Sequence, residues 1–232
     1  DEHANIEMAA KRIAWGKTIN AGQTCIAPDY LFVHHSIKDE LIAKIKACFT
    51  DMYGNNIKES EFYPRIVNEK AFDRLHNMMQ QGKIVVGGQT ERANKYIEPT
   101  LIDHVKSDFL IMQEEIFGPL LPIISFEEIS EAIDYINKNE KPLSFYYFGK
   151  SKQAKEILQQ ISFGGGCIND TLIHFANHHL PFGGVGNSGK GVYHGYNSFQ
   201  AFSNSQGVMK SLNLLDLPLR YPPFKWFKLV KK

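Results

Sequence analysis

Cysteine is scarce in this chain of 232 residues: Cys25, Cys48 and Cys167, far apart and odd in number. That excludes a disulfide framework and fits a reducing compartment such as the cytoplasm. Long apolar runs are lacking too, and nothing approaches the roughly 20 residues that span a bilayer. No signal-peptide pattern leads the sequence. An excess of either charge is missing: 26 Lys and Arg stand against 25 Asp and Glu, for a net +1. A global basic field for nucleic acid is therefore excluded. There is no Cys-x-x-Cys and no His-Glu-x-x-His. The paired histidines at 34–35 and 178–179 do not share a face of either regular element, so no metal site is expected. No Gly-x-Ser-x-Gly elbow occurs. The opening Asp1–Asn5 runs straight into a helical pattern without a methionine, and reads as a cut through a longer protein.

What is present is an alternation of helices and short strands. Ile6, Ala9, Ala10, Ile13 and Ala14 recur at helical spacing up to about Lys17. Leu31–His34 reads as a strand, and Ser36-Ile37-Lys38-Asp39 as a capping box. It opens a helix with Leu41, Ile42, Ile45, Cys48, Phe49 and Met52 inward, so Cys48 is expected in the core. Asn68 caps a helix carrying Phe72, Leu75, Met78 and Met79 inward. Strands are expected over 83–86, 96–105 (interrupted by Pro99), 120–125 and 143–148. A buried strand is expected over 164–169, with helices over 128–139 and 151–161. This order predicts parallel strands with right-handed crossovers. The fold class is α/β: a layered α/β/α domain with a mostly parallel sheet.

The centre of the chain's chemistry is Ile19–Pro28. Asn20, Ala21 and Gly22 form a turn before Cys25, and Pro28 stops a helix after it. A thiol presented on such a loop can serve as a nucleophile. A lone cysteine in a loop is otherwise more often inert and buried. Gly184-Val185-Gly186-Asn187-Ser188-Gly189 matches the dinucleotide fingerprint. It lacks the acidic residue about 20 positions on, since no Asp or Glu lies between Gly183 and Leu215. Close backbone packing is the better reading. Glu114 and Glu115 do not make a glycosidase pair, because neighbours on an extended chain face opposite ways.

Gly22-Gln23-Thr24-Cys25, with Trp15-Gly16-Lys17 before and Ala27-Pro28-Asp29-Tyr30 after, resembles the nucleophile loop of the aldehyde dehydrogenase superfamily. The wording is similar to the class-three and fatty aldehyde dehydrogenase branch. Glu114-Glu115-Ile116-Phe117-Gly118-Pro119 and Leu180–Gly189 resemble two further signatures of the family, in the family's order. The resemblance implies that Cys25 is the catalytic nucleophile, oxidising aliphatic or aromatic aldehydes to acids through a thiohemiacetal and a thioester. It implies NAD or NADP as cofactor, with Glu115 on the nicotinamide ribose hydroxyls and Phe117 beside the ring. Trp15, Leu172, Phe175 and Phe182 are the candidates for an apolar substrate tunnel. The resemblance covers the C-terminal half of such an enzyme. The Glu-Leu-Gly-Gly-Lys segment with the general base, and most of the cofactor site, lie outside this sequence. The chain alone is therefore expected to be inactive.

Three regions are expected: a catalytic domain over 1–202, an oligomerisation strand over 203–212 that joins a homodimer, and an irregular tail over 213–232. In the tail, Phe224, Trp226, Phe227 and Leu229 alternate with four lysines. That composition suits peripheral contact with an anionic membrane surface. Two other readings stay open: a non-catalytic interaction module, and a different thiol chemistry such as acyl transfer.

Overall fold

Asn5 starts the first element by accepting the Met8 N–H at 3.0 Å. Helix α1 then runs Ile6–Thr18 with Ala9, Ala10, Ile13 and Ala14 buried. It packs on α2, Lys38–Tyr53, through that helix's Leu41, Ile45 and Phe49. Between them lies strand β1, Leu31–His34. The capping box expected at Ser36 does not form. A 3-10 turn over His35–Ile37 precedes α2, and the Ser36 hydroxyl is engaged with the His34 ring at 2.8 Å instead. Gly54, at φ +81°, ends α2.

Asn68 caps α3, Glu69–Met79, through the Ala71 N–H at 2.8 Å. Phe72, Leu75, Met78 and Met79 all face inward, as the spacing predicts. Strands β2 (Lys83–Val86), β3 (Thr90–Glu91), β4 (Tyr96–Ile97) and β5 (Thr100–Asp103) follow, with Pro99 dividing the last two. A single turn of helix, α4, spans Leu110–Gln113. The remaining elements are β6 (Leu120–Phe126), α5 (Ile129–Lys138), β7 (Ser144–Tyr147), α6 (Ser151–Leu158), β8 (Gly165–Ile168) and α7 (Gly195–Ala201).

The computed structural model describes residues 1–216 and 220–222. It divides into two units, Asp1–Ala201 and Phe202–Lys232. In the first, a four-stranded sheet has the order β1-β6-β5-β2. β1 and β5 flank β6 in parallel, with Leu31 opposite Ile123 and Thr100 opposite Leu120. β2 closes the edge antiparallel to β5. β7 and β8 pair parallel in a sheet of their own, and β3 and β4 form a small hairpin. The main core fills the space between α1, α2, α3 and the four-stranded sheet, with Ile45, Leu75, Met78, Leu101 and Leu120 fully buried. Truncating one such leucine to alanine costs about 2–5 kcal/mol. A second core joins α5, α6 and β7 through Ile133, Ile136, Tyr147, Ala154 and Ile157.

Other expectations need correction as well. Cys48 is half-buried at the rim of the α2 stripe, not inside the core. β8 is half-buried rather than buried, because only β7 flanks it. In the second unit, 203–212 forms no strand. A strand needs a ladder partner, and none of the described residues supplies one. Val208, Met209 and Leu212 are exposed there. The tail residues 223–232, where the membrane contact is expected, lie outside the described residues.

Candidate active site

The cysteine loop is bolted down at both ends. Asn20, Ala21 and Gly22 all take positive φ (51°, 51° and 70°), a run that only tertiary contacts can hold. Gly22 is required by space as well. A Cβ there would lie 2.2 Å from the Gly118 carbonyl oxygen, and one on Gly118 would lie 2.4 Å from Leu75 Cδ2. The core residue Leu75, Gly118 and Gly22 thus stack without a side chain between them. Gln23 fixes the loop sideways: its amide donates to Asn20 O (3.0 Å) and Arg65 O (3.1 Å), and its oxygen accepts the Val67 N–H (2.8 Å).

Cys25 follows, exposed, in a turn closed by Ala27 N–H to Thr24 O at 3.0 Å. Its own N–H donates to no group among the described residues. Next to it, Ile26 is buried and its carbonyl accepts the Tyr146 hydroxyl at 2.7 Å. Burial pushes the Tyr146 pKa up to about 12, so it stays a donor. The other two cysteines differ. Cys48 and Cys167 are half-buried, and burial raises the pKa of each, holding both as thiols.

Beneath the loop lies a buried cation that composition and motif reading left without a role. Lys17 is 1% exposed and donates to Pro28 O at 2.8 Å. Desolvation brings its pKa down to about 8, against the pull of Asp29 and Glu115. Asp29 is raised by burial, opposed by Lys17, and accepts the Ile116 N–H at 3.1 Å. The pKa of Glu115, whose side chain reaches solvent, is raised by desolvation from the surrounding protein and then by the Asp29 charge. Arg74 grips the backbone of this segment through Glu115 O (3.1 Å) and Ile116 O (2.5 Å). The sequence did carry a signal for Lys17: it continues the apolar face of α1 four residues after Ile13.

A cavity of about 720 Å³ opens beside the loop, lined by Thr24, Cys25, Glu115, Phe117, Tyr146 and Asn187 among others. The structure therefore brings together Cys25, Glu115 and Phe117. Phe117 is 41% exposed at φ 46°, and Glu115 is exposed. None of the four tunnel candidates lines this cavity. Trp15 is exposed on α1, and Leu172 is buried against Gly16. Phe175 and Phe182 meet edge-to-face at 4.9 Å, in a cluster with His174, Tyr193 and His194. That cluster reaches the cysteine loop through Tyr146, whose ring lies 5.8 Å from His174. Gly184 packs on its own loop as expected: a Cβ there would lie 2.2 Å from the Ser188 backbone.

An exposed thiol, following a run of positive-φ residues, thus shares one cavity with a carboxylate and an aromatic ring. The aldehyde dehydrogenase family model matches residues 1–208, and the chain belongs to that family. The 4,4'-diaponeurosporen-aldehyde dehydrogenase of Staphylococcus aureus is 49% identical over 235 aligned residues, covering 100% of this chain and 51% of that protein. Aldehyde dehydrogenase, dimeric NADP-preferring, from Canis lupus familiaris is 42% identical over 226 residues, 96% of this chain and 50% of that protein. The solved structure of the substrate-bound state of Staphylococcus aureus AldH has a TM-score of 0.92 at 48% identity, over 100% of this chain and 51% of that one. An NAD-dependent aldehyde dehydrogenase from Sinorhizobium meliloti has a TM-score of 0.82 at 28% identity, over 93% of this chain and 44% of that one. The chain spans about half the length of these relatives.

Two measurements check the site. Limited iodoacetamide labelling of the folded chain, mapped by mass spectrometry, modifies Cys25 before Cys48 and Cys167; the reverse order contradicts this geometry. The second concerns Lys17, whose folded pKa is about 8 against an ordinary 10.5. Between those values the unfolded chain holds a proton that the folded chain has released, so stability rises with pH. Urea unfolding of wild type relative to Lys17→Met should therefore gain about 2 kcal/mol from pH 8 to pH 10. A flat difference contradicts the burial of a charged Lys17.

Proposed function

We propose that this chain is the catalytic domain of an NAD(P)-dependent aldehyde dehydrogenase that converts aliphatic or aromatic aldehydes to carboxylic acids. The observation that carries it is Cys25: exposed, held on a positive-φ loop, with a free N–H, on the cavity that Glu115 and Phe117 share. As thiolate, Cys25 Sγ adds to the aldehyde carbon, and the carbonyl oxygen gains the negative charge. The Cys25 N–H is a donor for that oxyanion; one such donor is worth about 10²–10³ in rate. When bound, NAD(P) supplies the acceptor for the hydride that leaves the Cys25 thiohemiacetal, giving a thioester. Hydrolysis of that thioester frees the acid and the thiol.

The residues present fit such a cofactor. Glu115 offers a carboxylate for two hydroxyl donors, and the exposed Phe117 ring offers a face to a flat heterocycle. Trp15, Leu172, Phe175 and Phe182 are proposed to wall the aldehyde's path from the other side of the loop. The general base belongs to the enzyme's other half, and without it the chain is proposed to be inactive. A homodimer through 203–212 is proposed as well, and the name of the dimeric, NADP-preferring relative supports it. The cytoplasm, with peripheral membrane contact through 224–232, is the proposed location. No helix among the described residues is long and apolar enough to cross a membrane.

In the complete enzyme containing this chain, Cys25→Ser should lower aldehyde-dependent NAD(P)H formation by at least about 10³-fold. Cys48→Ser and Cys167→Ser should stay within a few-fold of wild type. Activity retained in Cys25→Ser would overturn the assignment.

A further inference from the structure

The turn that presents the nucleophile spans Thr24–Ala27. Cys25 and Ile26 are its central residues, and the Ala27 N–H donates to Thr24 O at 3.0 Å. Among the described residues one side chain hydrogen-bonds this turn. It is Tyr146, whose hydroxyl donates to Ile26 O at 2.7 Å from 120 positions along the chain. Tyr146 is itself firmly held. It lies on β7, in register with Cys167 on β8, and its ring packs 5.8 Å from that of the buried His174. Ile26 is held as well, because its side chain is buried.

These hydrogen bonds run in series. A trans peptide group is planar, and its C=O and N–H point opposite ways. The Tyr146 hydroxyl donates to the carbonyl of the Ile26–Ala27 peptide. The N–H of that peptide donates to the carbonyl of the Thr24–Cys25 peptide. The N–H of this last peptide belongs to Cys25, and it donates to no group among the described residues. Three donors thus stand head to tail, with the hydroxyl at one end and the free N–H at the other. The chain fixes direction: Thr24 O faces Ala27, so the Cys25 N–H faces away from the turn. It also sets donor strength, since hydrogen bonds in a chain polarise one another by about 10–30% per bond.

We propose that Tyr146 is a positioning residue for the nucleophile: acting through Ile26 and Ala27, its hydroxyl aims and polarises the Cys25 N–H. The inference rests on the reading of Cys25 as nucleophile and of its N–H as donor to the oxyanion. It separates two properties of the same residue. Attack by sulfur requires the thiolate alone. Stabilising the charge that grows on a carbonyl oxygen requires the N–H as well. Tyr146 acts on the second property and leaves the first to the sulfur.

The test compares two reactions of Cys25 in the complete enzyme, without NAD(P). p-Nitrophenyl acetate acylates the thiol. Sulfur adds to the carbonyl carbon and an oxyanion forms; on its collapse the ester C–O bond breaks, p-nitrophenolate leaves with the electron pair, and the thiol proton passes to solvent. Iodoacetamide alkylates the same sulfur by displacing iodide, and no oxyanion forms. Tyr146→Phe removes the hydroxyl alone. It should slow acylation at least about tenfold, part of what an oxyanion donor is worth. Alkylation should stay within about twofold of wild type, since the thiolate sets that rate. Replacing Tyr146 by 3-fluorotyrosine, whose more acidic hydroxyl donates more strongly, should speed acylation and leave alkylation unchanged; this variant serves where Tyr146→Phe does not fold. Equal acylation in variant and wild type, or alkylation that changes in step with acylation, would overturn the proposal. Peptide mapping that finds no acetyl group on Cys25 of the wild type would instead overturn the reading of Cys25, and this inference with it.

Discussion

The site depends on one buried ammonium group. Taking a lysine out of water costs several kcal/mol unless its surroundings compensate. Lys17 sits at the end of α1, and the partner its ammonium reaches, the Pro28 carbonyl, lies just past the cysteine loop. That bond closes the loop and holds Cys25 between two fixed ends. Asp29, the residue after Pro28, takes the Ile116 N–H. Helix, cysteine loop and the segment at Ile116 are therefore tied to one another by these two hydrogen bonds.

The second constraint is steric. Leu75, Gly118 and Gly22 are layered so closely that no Cβ fits between them. The hydrophobic core thus sets the position of a polar loop directly. That rigidity lets a single thiol be exposed while its N–H stays unbonded, a combination that a freely moving loop would not maintain. Arg74 contributes from the other side by holding two carbonyls of the 115–116 backbone. Cys48 and Cys167, in ordinary half-buried surroundings, keep their protons.

Much of this was legible in the residues. Apolar patterning placed α1, α2, α3, α5, α6 and every strand but the two-residue β3, because burial dominates those elements. Asn68 marked a helix start through chemistry that acts within one turn. The Ser36 box failed because His34 took the hydroxyl first, a competition that spacing does not reveal. Cys25, Glu115 and Phe117 were found by motif resemblance, and the fold brings them to one cavity. What the sequence concealed were long-range partners. Nothing local says that Gly22 meets Gly118, that Gln23 reaches Arg65 and Val67, or that Tyr146 seats on Ile26, 120 positions away. The place of Phe175 and Phe182 was hidden for the same reason: their aromatic cluster is assembled from Tyr193 and His194 on a later segment.

Cys25 Sγ is the atom proposed to become covalently joined to substrate. The most direct test is to incubate the complete enzyme with an aldehyde and NAD(P), quench in acid during turnover, and map the adduct by peptide mass spectrometry. The account predicts an acyl group, with the mass of the aldehyde less one hydrogen in place of the thiol proton, on the peptide containing Cys25. An acyl group on Cys48 or Cys167, or no acylated cysteine in an enzyme that is turning over with its thioester hydrolysis slowed, would contradict it.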